Sequence, residues 1–225
     1  MIRNIVFDMG QVLIRFDPDH FMNREGVTDP GERQLLMREL FVSAEWAMMD
    51  LGIMTEETAE ASILPRISGA LREKMRHLLW HWADEREMIP GMEELARELK
   101  RSGYRLYLLS NASTAQHRYW PRFPVSELFD GTLISCDVHV VKPNPEIYRL
   151  FTERFSLKPE ECLFIDDAPP NVAAAIGCGW QGIVFHGDRE ELEQKMLRKG
   201  VLLRKAPGET EKGTEPNAER DNNKG

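Results

Sequence analysis

The sequence is poor in cysteine, in long apolar runs and in positive charge. Cys136, Cys162 and Cys178 are the only three cysteines in 225 residues, and none sits in a CxxC or Cys/His spacing. This excludes a disulfide-built fold and a zinc ribbon, and free buried thiols in a reducing compartment are expected. No apolar run approaches the roughly 18 residues that cross a bilayer, so no transmembrane helix is expected. The opening MIRNIVFDMG has a short apolar stretch that ends at Asp8 and no small-residue cleavage site. No secretory leader is expected from it, and the cytoplasm is the expected location. Lys plus Arg total 29 against 37 Asp plus Glu, a formal charge of −8. That deficit argues against a general nucleic-acid binder and against a polybasic membrane anchor, so neither partner is expected.

What is present is 42% hydrophobic and 29% charged, the composition of a globular chain. Its length suits one core with a small second domain, large enough to be stable without disulfides or a structural metal. The run Ile2 to Phe7 is rich in β-branched and aromatic residues and reads as a buried strand that delivers Asp8 at its C-terminal end. A second strand is expected at Gln11 to Phe16. From about residue 17 to 85 the chain is rich in Met, Leu, Glu and Arg with no strand-like alternation. Asp29-Pro30 and Thr55-Glu56-Glu57-Thr58 are helix starts there, and residues 66–82 suggest a third helix. Beyond it, strands are expected at 104–109, 132–135, 162–165 and 182–185, alternating with helices near 91–102, 113–121, 145–155, 170–178 and 188–199. Alternation with short connections implies a parallel sheet with helices on both faces. The expected organisation is an α/β core of residues 1–16 and 86–203, a helical insert at 17–85 and a disordered tail at 204–225.

Three apolar strands end in polar residues: Phe7-Asp8, Leu109-Ser110-Asn111 and Ile165-Asp166-Asp167. Lys142-Pro143 lies in a loop after another strand. Open α/β sheets place their sites at such strand ends. Three carboxylates gathered together repel unless a cation is present, and Mg²⁺, a hard cation that takes oxygen ligands, resolves this simply. A phosphate is then welcome, with Ser110 and Asn111 as hydrogen-bonding groups, a helix N-terminus beside them and Lys142 as a fixed positive charge. Asp8 becomes a nucleophile that forms an aspartyl-phosphate.

These residues carry a family resemblance. Phe7-Asp8-Met9-Gly10-Gln11-Val12-Leu13, Leu109-Ser110-Asn111, Lys142-Pro143-Asn144-Pro145-Glu146-Ile147-Tyr148, and Phe164-Ile165-Asp166-Asp167 with Asn171 occur in the order and spacing of the haloacid dehalogenase superfamily. The resemblance covers about residues 1–200. It implies a Rossmann-like parallel sheet, with the helical insert resembling the small cap of the first subclass. Glu45-Trp46 and Asp50-Leu51-Gly52 in that insert are similar to cap positions of the glucose-1-phosphate phosphatase type. The implied activity is Mg²⁺-dependent hydrolysis of a small phosphorylated metabolite. The resemblance implies Asp8 as nucleophile and metal ligand, the Gly10 carbonyl as a ligand, and Asp167 as a direct ligand, with Asp166 acting directly or through water. Ser110 and Asn111 would bind the phosphoryl group, and Lys142 would neutralise nucleophile and phosphate.

One position departs from the common pattern. Most phosphatases of the superfamily carry an Asp two residues after the nucleophile as general acid and base, and here that residue is Gly10. Losing such a group costs about 10²–10⁴-fold in rate. The sugar-phosphate subgroup also reads Asp-x-Gly, so activity is compatible with it. Asp17, just past the expected second strand, is a candidate substitute, as is a water. Two other readings follow from the same motifs: a 2-haloacid dehalogenase, which needs no metal and lacks the acidic pair, and a phosphate- or protein-binding module without turnover. His77 and His81, spaced i and i+4, read as ordinary helix residues. Trp46, Trp80 and Trp82 read as core or interface of the insert.

Overall fold

The computed structural model describes residues 1–84 and 87–204. Five strands, β1 (Asn4–Phe7), β2 (Arg105–Ser110), β3 (Gly131–Ile134), β4 (Cys162–Asp166) and β5 (Gln181–Val184), form one parallel sheet in the order β3-β2-β1-β4-β5. The first strand is central. The chain builds outward from it on one side through β2 and β3, then returns to its other side through β4 and β5. Such a reversal opens a crevice at the strand C-termini. Phe7 is level with Leu108 on one side and Ile165 on the other. The polar residues that follow these positions therefore emerge together.

Alternation decides what each face buries. Ile5, Phe7, Leu106, Leu108, Leu163 and Ile165 point to one side, against α6 (Met92–Arg101) and α11 (Arg189–Arg198). Val6, Tyr107, Leu109 and Phe164 point to the other, against α9 (Pro145–Phe155) and α10 (Pro169–Gly177). Both faces are apolar because both are covered.

Between β1 and β2 lie α1 (Pro18–Arg24), α2 (Pro30–Leu36), a π-helical turn (Met37–Phe41), α3 (Ala44–Asp50), α4 (Glu56–Ile63) and α5 (Leu71–His81). They share a separate core that includes Phe21, Leu36, Leu40, Ile63, Met75 and Leu78. Trp82 is partly buried against this core and against the sheet core. Asp29 and Thr55 cap α2 and α4 through side-chain bonds to Glu32 N and Thr58 N. The third expected helix starts later than the sequence suggests, at Leu71, after Pro65 and Gly69 interrupt the pattern.

The second expected strand, Gln11 to Phe16, does not form. Gln11 adopts a left-handed φ of 55°, and the N–H groups of Leu13 and Ile14 both return to the Met9 carbonyl at 2.9 Å. The segment is a coiled turn with only isolated bridges at Gly10 and Ile14. Val12, Leu13 and Ile14 are nonetheless buried, so the run has the composition of a core strand without its geometry. The short helices α7 (Ala115–Tyr119) and α8 (Ser135–Val138) complete the α-helices among the described residues. No described helix is long and apolar enough to cross a membrane. All three thiols are free. Of the expected tail, residues 205–225 lie outside the described residues.

Candidate active site

β1 delivers Asp8, whose N–H donates to Ile165 O at 2.8 Å and fixes the strand end. β4 ends at Asp166, and Asp167 follows. Lys142 reaches in from the loop before α9. Its Nζ donates to Asp8 Oδ1 at 2.6 Å, to Asp166 Oδ2 at 2.7 Å and to Leu109 O at 3.1 Å. All three ammonium protons are thus directed. Lys142 is 4% exposed, Asp8 9% and Asp166 0%, so these charges compensate one another in place of water. Burial pushes the Asp8 carboxyl up to about 6, against the pull of Lys142 and with the added repulsion of Asp166. Burial opposes the Lys142 charge, yet the carboxylates of Asp8 and Asp166 outweigh it and hold its pKa above the ordinary lysine value.

Asp166 is fully engaged. Oδ1 accepts from Ala168 N at 2.8 Å and from Asn171 Nδ2 at 3.0 Å, and Oδ2 accepts from Lys142. Asp167 is exposed toward the cavity, and its carboxyl is raised by partial burial and by Asp166. One oxygen from each of Asp8, Asp166 and Asp167 lies within 4.8 Å of the others. Three carboxylates, with two net negative charges left after Lys142, fit a hard divalent cation. Among the described residues a second cluster, His117, Cys136 and Asp137, has a mixed donor set of a different character and lies off the cavity lining.

Ser110, at the end of β2, is buried and lines the cavity. Asn111 lines the cavity and makes a contact the sequence did not suggest. Its Oδ1 accepts from Lys142 N at 2.8 Å and its Nδ2 donates to Lys142 O at 3.0 Å. The carboxamide thus positions the lysine.

The cavity above these groups has a volume of about 270 Å³. Asp8, Gly10, Ser110, Asn111, Lys142 and Asp167 form its floor. Trp46, Met49, Asp50, Glu56, Leu79 and Trp82, all from the helical segment or its end, form the opposite wall. Phe16 packs edge-on to Trp82 with ring centroids 5.0 Å apart, closing one corner. Glu56 ties the two parts together, accepting from Ser113 Oγ at 2.9 Å and Thr114 Oγ1 at 3.3 Å.

One expectation changes here, and the other side chains the sequence singled out take structural places. Asp17 does not reach the cavity; its Oδ1 caps α1 by accepting from His20 N at 3.1 Å. Trp80 also stays outside, bonded to Glu60. Glu45 is held by Arg66 and Ser62, with its carboxyl lowered to about 2, chiefly by the Arg66 hydrogen bond. His77 and His81 stack on each other and pair with Glu25 and Asp84. Sequence reasoning gave no cavity role to Asp50, Glu56 or Ser113. Their spacing from the strand-end motifs carries no period, so only the Asp50-Leu51-Gly52 tripeptide offered a signal.

A carboxylate, a buried lysine and an acidic pair stand together at adjacent parallel strand ends of an α/β fold. The chain belongs to the haloacid dehalogenase-like hydrolases, whose family model matches residues 2–179. It is 30% identical over 97 residues to flavin mononucleotide hydrolase 1 of Arabidopsis thaliana, a match covering 43% of this chain and 40% of that protein. Less than half of that curated relative is therefore spanned. A haloacid dehalogenase family enzyme of Bacteroides thetaiotaomicron, solved with magnesium and inorganic phosphate, superposes with a TM-score of 0.67 at 22% identity, covering 85% of this chain and 99% of that one. A HAD-like hydrolase of Porphyromonas gingivalis gives 0.64 at 26% identity, covering 88% and 98%.

Proposed function

We propose that the protein is a Mg²⁺-dependent phosphatase of a small phosphorylated metabolite, with a sugar phosphate of the glucose-1-phosphate kind as the leading candidate. The observation that carries this is Lys142 held between Asp8 and Asp166, with Asp167 turned to the same cavity. Asp8, Asp167 and the Gly10 carbonyl would hold the cation, with Asp166 fixing the arrangement from behind. Bound magnesium would supply charge neutralisation for the phosphoryl oxygens.

Asp8 attacks phosphorus through a carboxylate oxygen, forming one P–O bond while the ester P–O bond breaks. Lys142 keeps that carboxylate ionised and oriented. The Ser110 hydroxyl donates to a phosphoryl oxygen. Water then cleaves the aspartyl-phosphate and restores Asp8. The helical segment serves as a cap: Trp46, Met49 and Trp82 give the leaving group an apolar wall and exclude water. A cavity of about 270 Å³ falls at the low end of ligand pockets, which favours a small substrate over a large cofactor. The relatives named for flavin mononucleotide hydrolysis and for a magnesium and phosphate complex support phosphoryl chemistry. The acidic pair disfavours the metal-free dehalogenase reading. No nucleic-acid or membrane partner is proposed, and a cytoplasmic location is.

Inorganic phosphate release is measured across phosphorylated sugars, nucleotides and small acids, with Mg²⁺ or chelator. Metal-dependent release that Asp8→Asn abolishes is the expected result. Binding of phosphate and Mg²⁺ without release from any compound would make the non-catalytic binding module the better reading.

A further inference from the structure

Breaking a phosphate ester of an alcohol leaves an alkoxide, a base too strong to depart without a proton. Gly10 cannot supply one. A Cβ placed there would meet only Phe16 Cβ at 3.9 Å, so no neighbouring side chain has closed over the position. A side-chain proton donor would come from elsewhere on the cavity lining.

Three further carboxyls line the cavity besides Asp8. Asp167 belongs to the cation cluster. Glu56 is engaged by Ser113 and Thr114, with Arg118 Nη2 at 3.9 Å. Asp50 remains. It is the last residue of α3, partly buried, and among the described residues its carboxyl has no hydrogen-bond or ion-pair partner.

The backbone that presents Asp50 is seated on the sheet domain. The Ser135 hydroxyl donates to Asp50 O at 2.5 Å and accepts from Ala112 N at 3.0 Å, in the loop that follows Ser110. His139 Nδ1 donates to Leu51 O at 2.9 Å. Gly52, at φ +69°, approaches so closely that a Cβ there would lie 2.2 Å from Cys136 O. Two long-range hydrogen bonds and one glycine contact thus fix a residue of the helical segment beside the loop that follows Ser110.

We propose that Asp50 is the general acid and base of this phosphatase, doing from the helical segment what Gly10 cannot. Its carboxyl gives a proton to the ester oxygen as the P–O bond to the leaving group breaks and the bond to Asp8 forms. The resulting carboxylate takes a proton from the water whose oxygen attacks the aspartyl-phosphate, which regenerates the acid and releases phosphate. Burial supports this role by pushing the Asp50 carboxyl up to about 7, with Lys142 as the opposing charge. Asp8, Asp167 and Glu56 on the cavity lining and the Cys136 thiol, His139 and Asp137 of the α8 segment are the other titratable groups around it. The inference rests on the phosphatase reading.

The test compares wild type and Asp50→Asn on the best alkyl phosphate of the panel and on 2,4-dinitrophenyl phosphate, whose leaving group departs without a proton. In single turnover, Asp50→Asn is expected to lose about 10²–10⁴-fold on the alkyl ester. Its burst of dinitrophenolate should stay within about threefold of wild type, followed by slow phosphate release as the second step loses its base. Adding Gly10→Asp to Asp50→Asn should restore alkyl-ester turnover by tenfold or more in the space beside Phe16, which a misfolded variant would not allow. Equal losses on both esters without rescue, or no loss on the alkyl ester, overturn the role of Asp50 while the phosphatase reading stands. A wild-type protein inert toward both esters with Mg²⁺ overturns that reading, and this proposal with it.

Discussion

Asn111 grips Lys142 by its backbone, with one carboxamide oxygen on the lysine N–H at 2.8 Å and the amide nitrogen on its carbonyl at 3.0 Å. The lysine's loop is thereby set against the end of β2, and its side chain is aimed between two carboxylates. Asn111→Ala removes both bonds and leaves the ammonium in place only by its ion pairs. A misplacement of about 1 Å can cost about 10²-fold in rate. The expected result is a kcat loss of that size with KM changed far less, because in the proposed reaction the lysine acts on Asp8. A KM increase with kcat preserved would instead make Asn111 a phosphate ligand.

Lys142→Met leaves Asp8 and Asp166 buried without their cation. Breaking such a buried pair costs about 3–5 kcal/mol. The expected outcome is a loss of that order in denaturant unfolding without Mg²⁺, partly recovered by adding Asp166→Asn. An unchanged midpoint would show that the cluster is solvated rather than buried.

Magnesium binding should stabilise the fold through the same carboxylates. At a hundredfold its dissociation constant a ligand adds about 2.7 kcal/mol. Mg²⁺ should therefore raise the melting temperature of wild type, and Asp167→Asn should abolish the rise. Asp17→Asn should retain it, since Asp17 only caps α1.

The pH dependence follows from Asp50. Burial raises its pKa to about 7, so the carboxyl is neutral below that pH and ionised above it. A donor must be protonated in the free enzyme, so kcat/KM for an alkyl phosphate falls as pH rises through neutrality. In Asp50→Asn the small residual rate should lose this alkaline limb. Retention of the limb would assign it to another group.

The sheet was legible because each strand is a short apolar run closed by a polar or turn residue, and Asp8, Ser110 and Asp166 stand at those closures. Helix starts such as Asp29-Pro30 and Thr55 were legible because capping is local chemistry. Gln11 to Phe16 misled because burial alone demands apolar residues, while a left-handed Gln11 sets the path. Asp17 looked near the site by sequence, yet Asp50 lies on its wall. That outcome depends on contacts such as Ser135 with Asp50, 85 positions apart, for which no local pattern exists. The Asn111 clamp on Lys142 was hidden for a similar reason: a carboxamide suits a phosphate and a backbone clamp equally well.

The Ser135 hydroxyl has one consequence for motion. It joins the carbonyl of Asp50 to the N–H of Ala112, so the helical segment and the loop after Ser110 share this latch, beside the Glu56 bonds to Ser113 and Thr114. Lifting the segment would break a bond that also steadies the loop. A phosphoryl group that orders the loop would therefore hold the segment down, and a docked segment would tighten the grip on phosphate by the same factor. In the proposed phosphatase, release of inorganic phosphate and opening of the cavity would then be one coupled event, with a hydroxyl 0% exposed at its pivot.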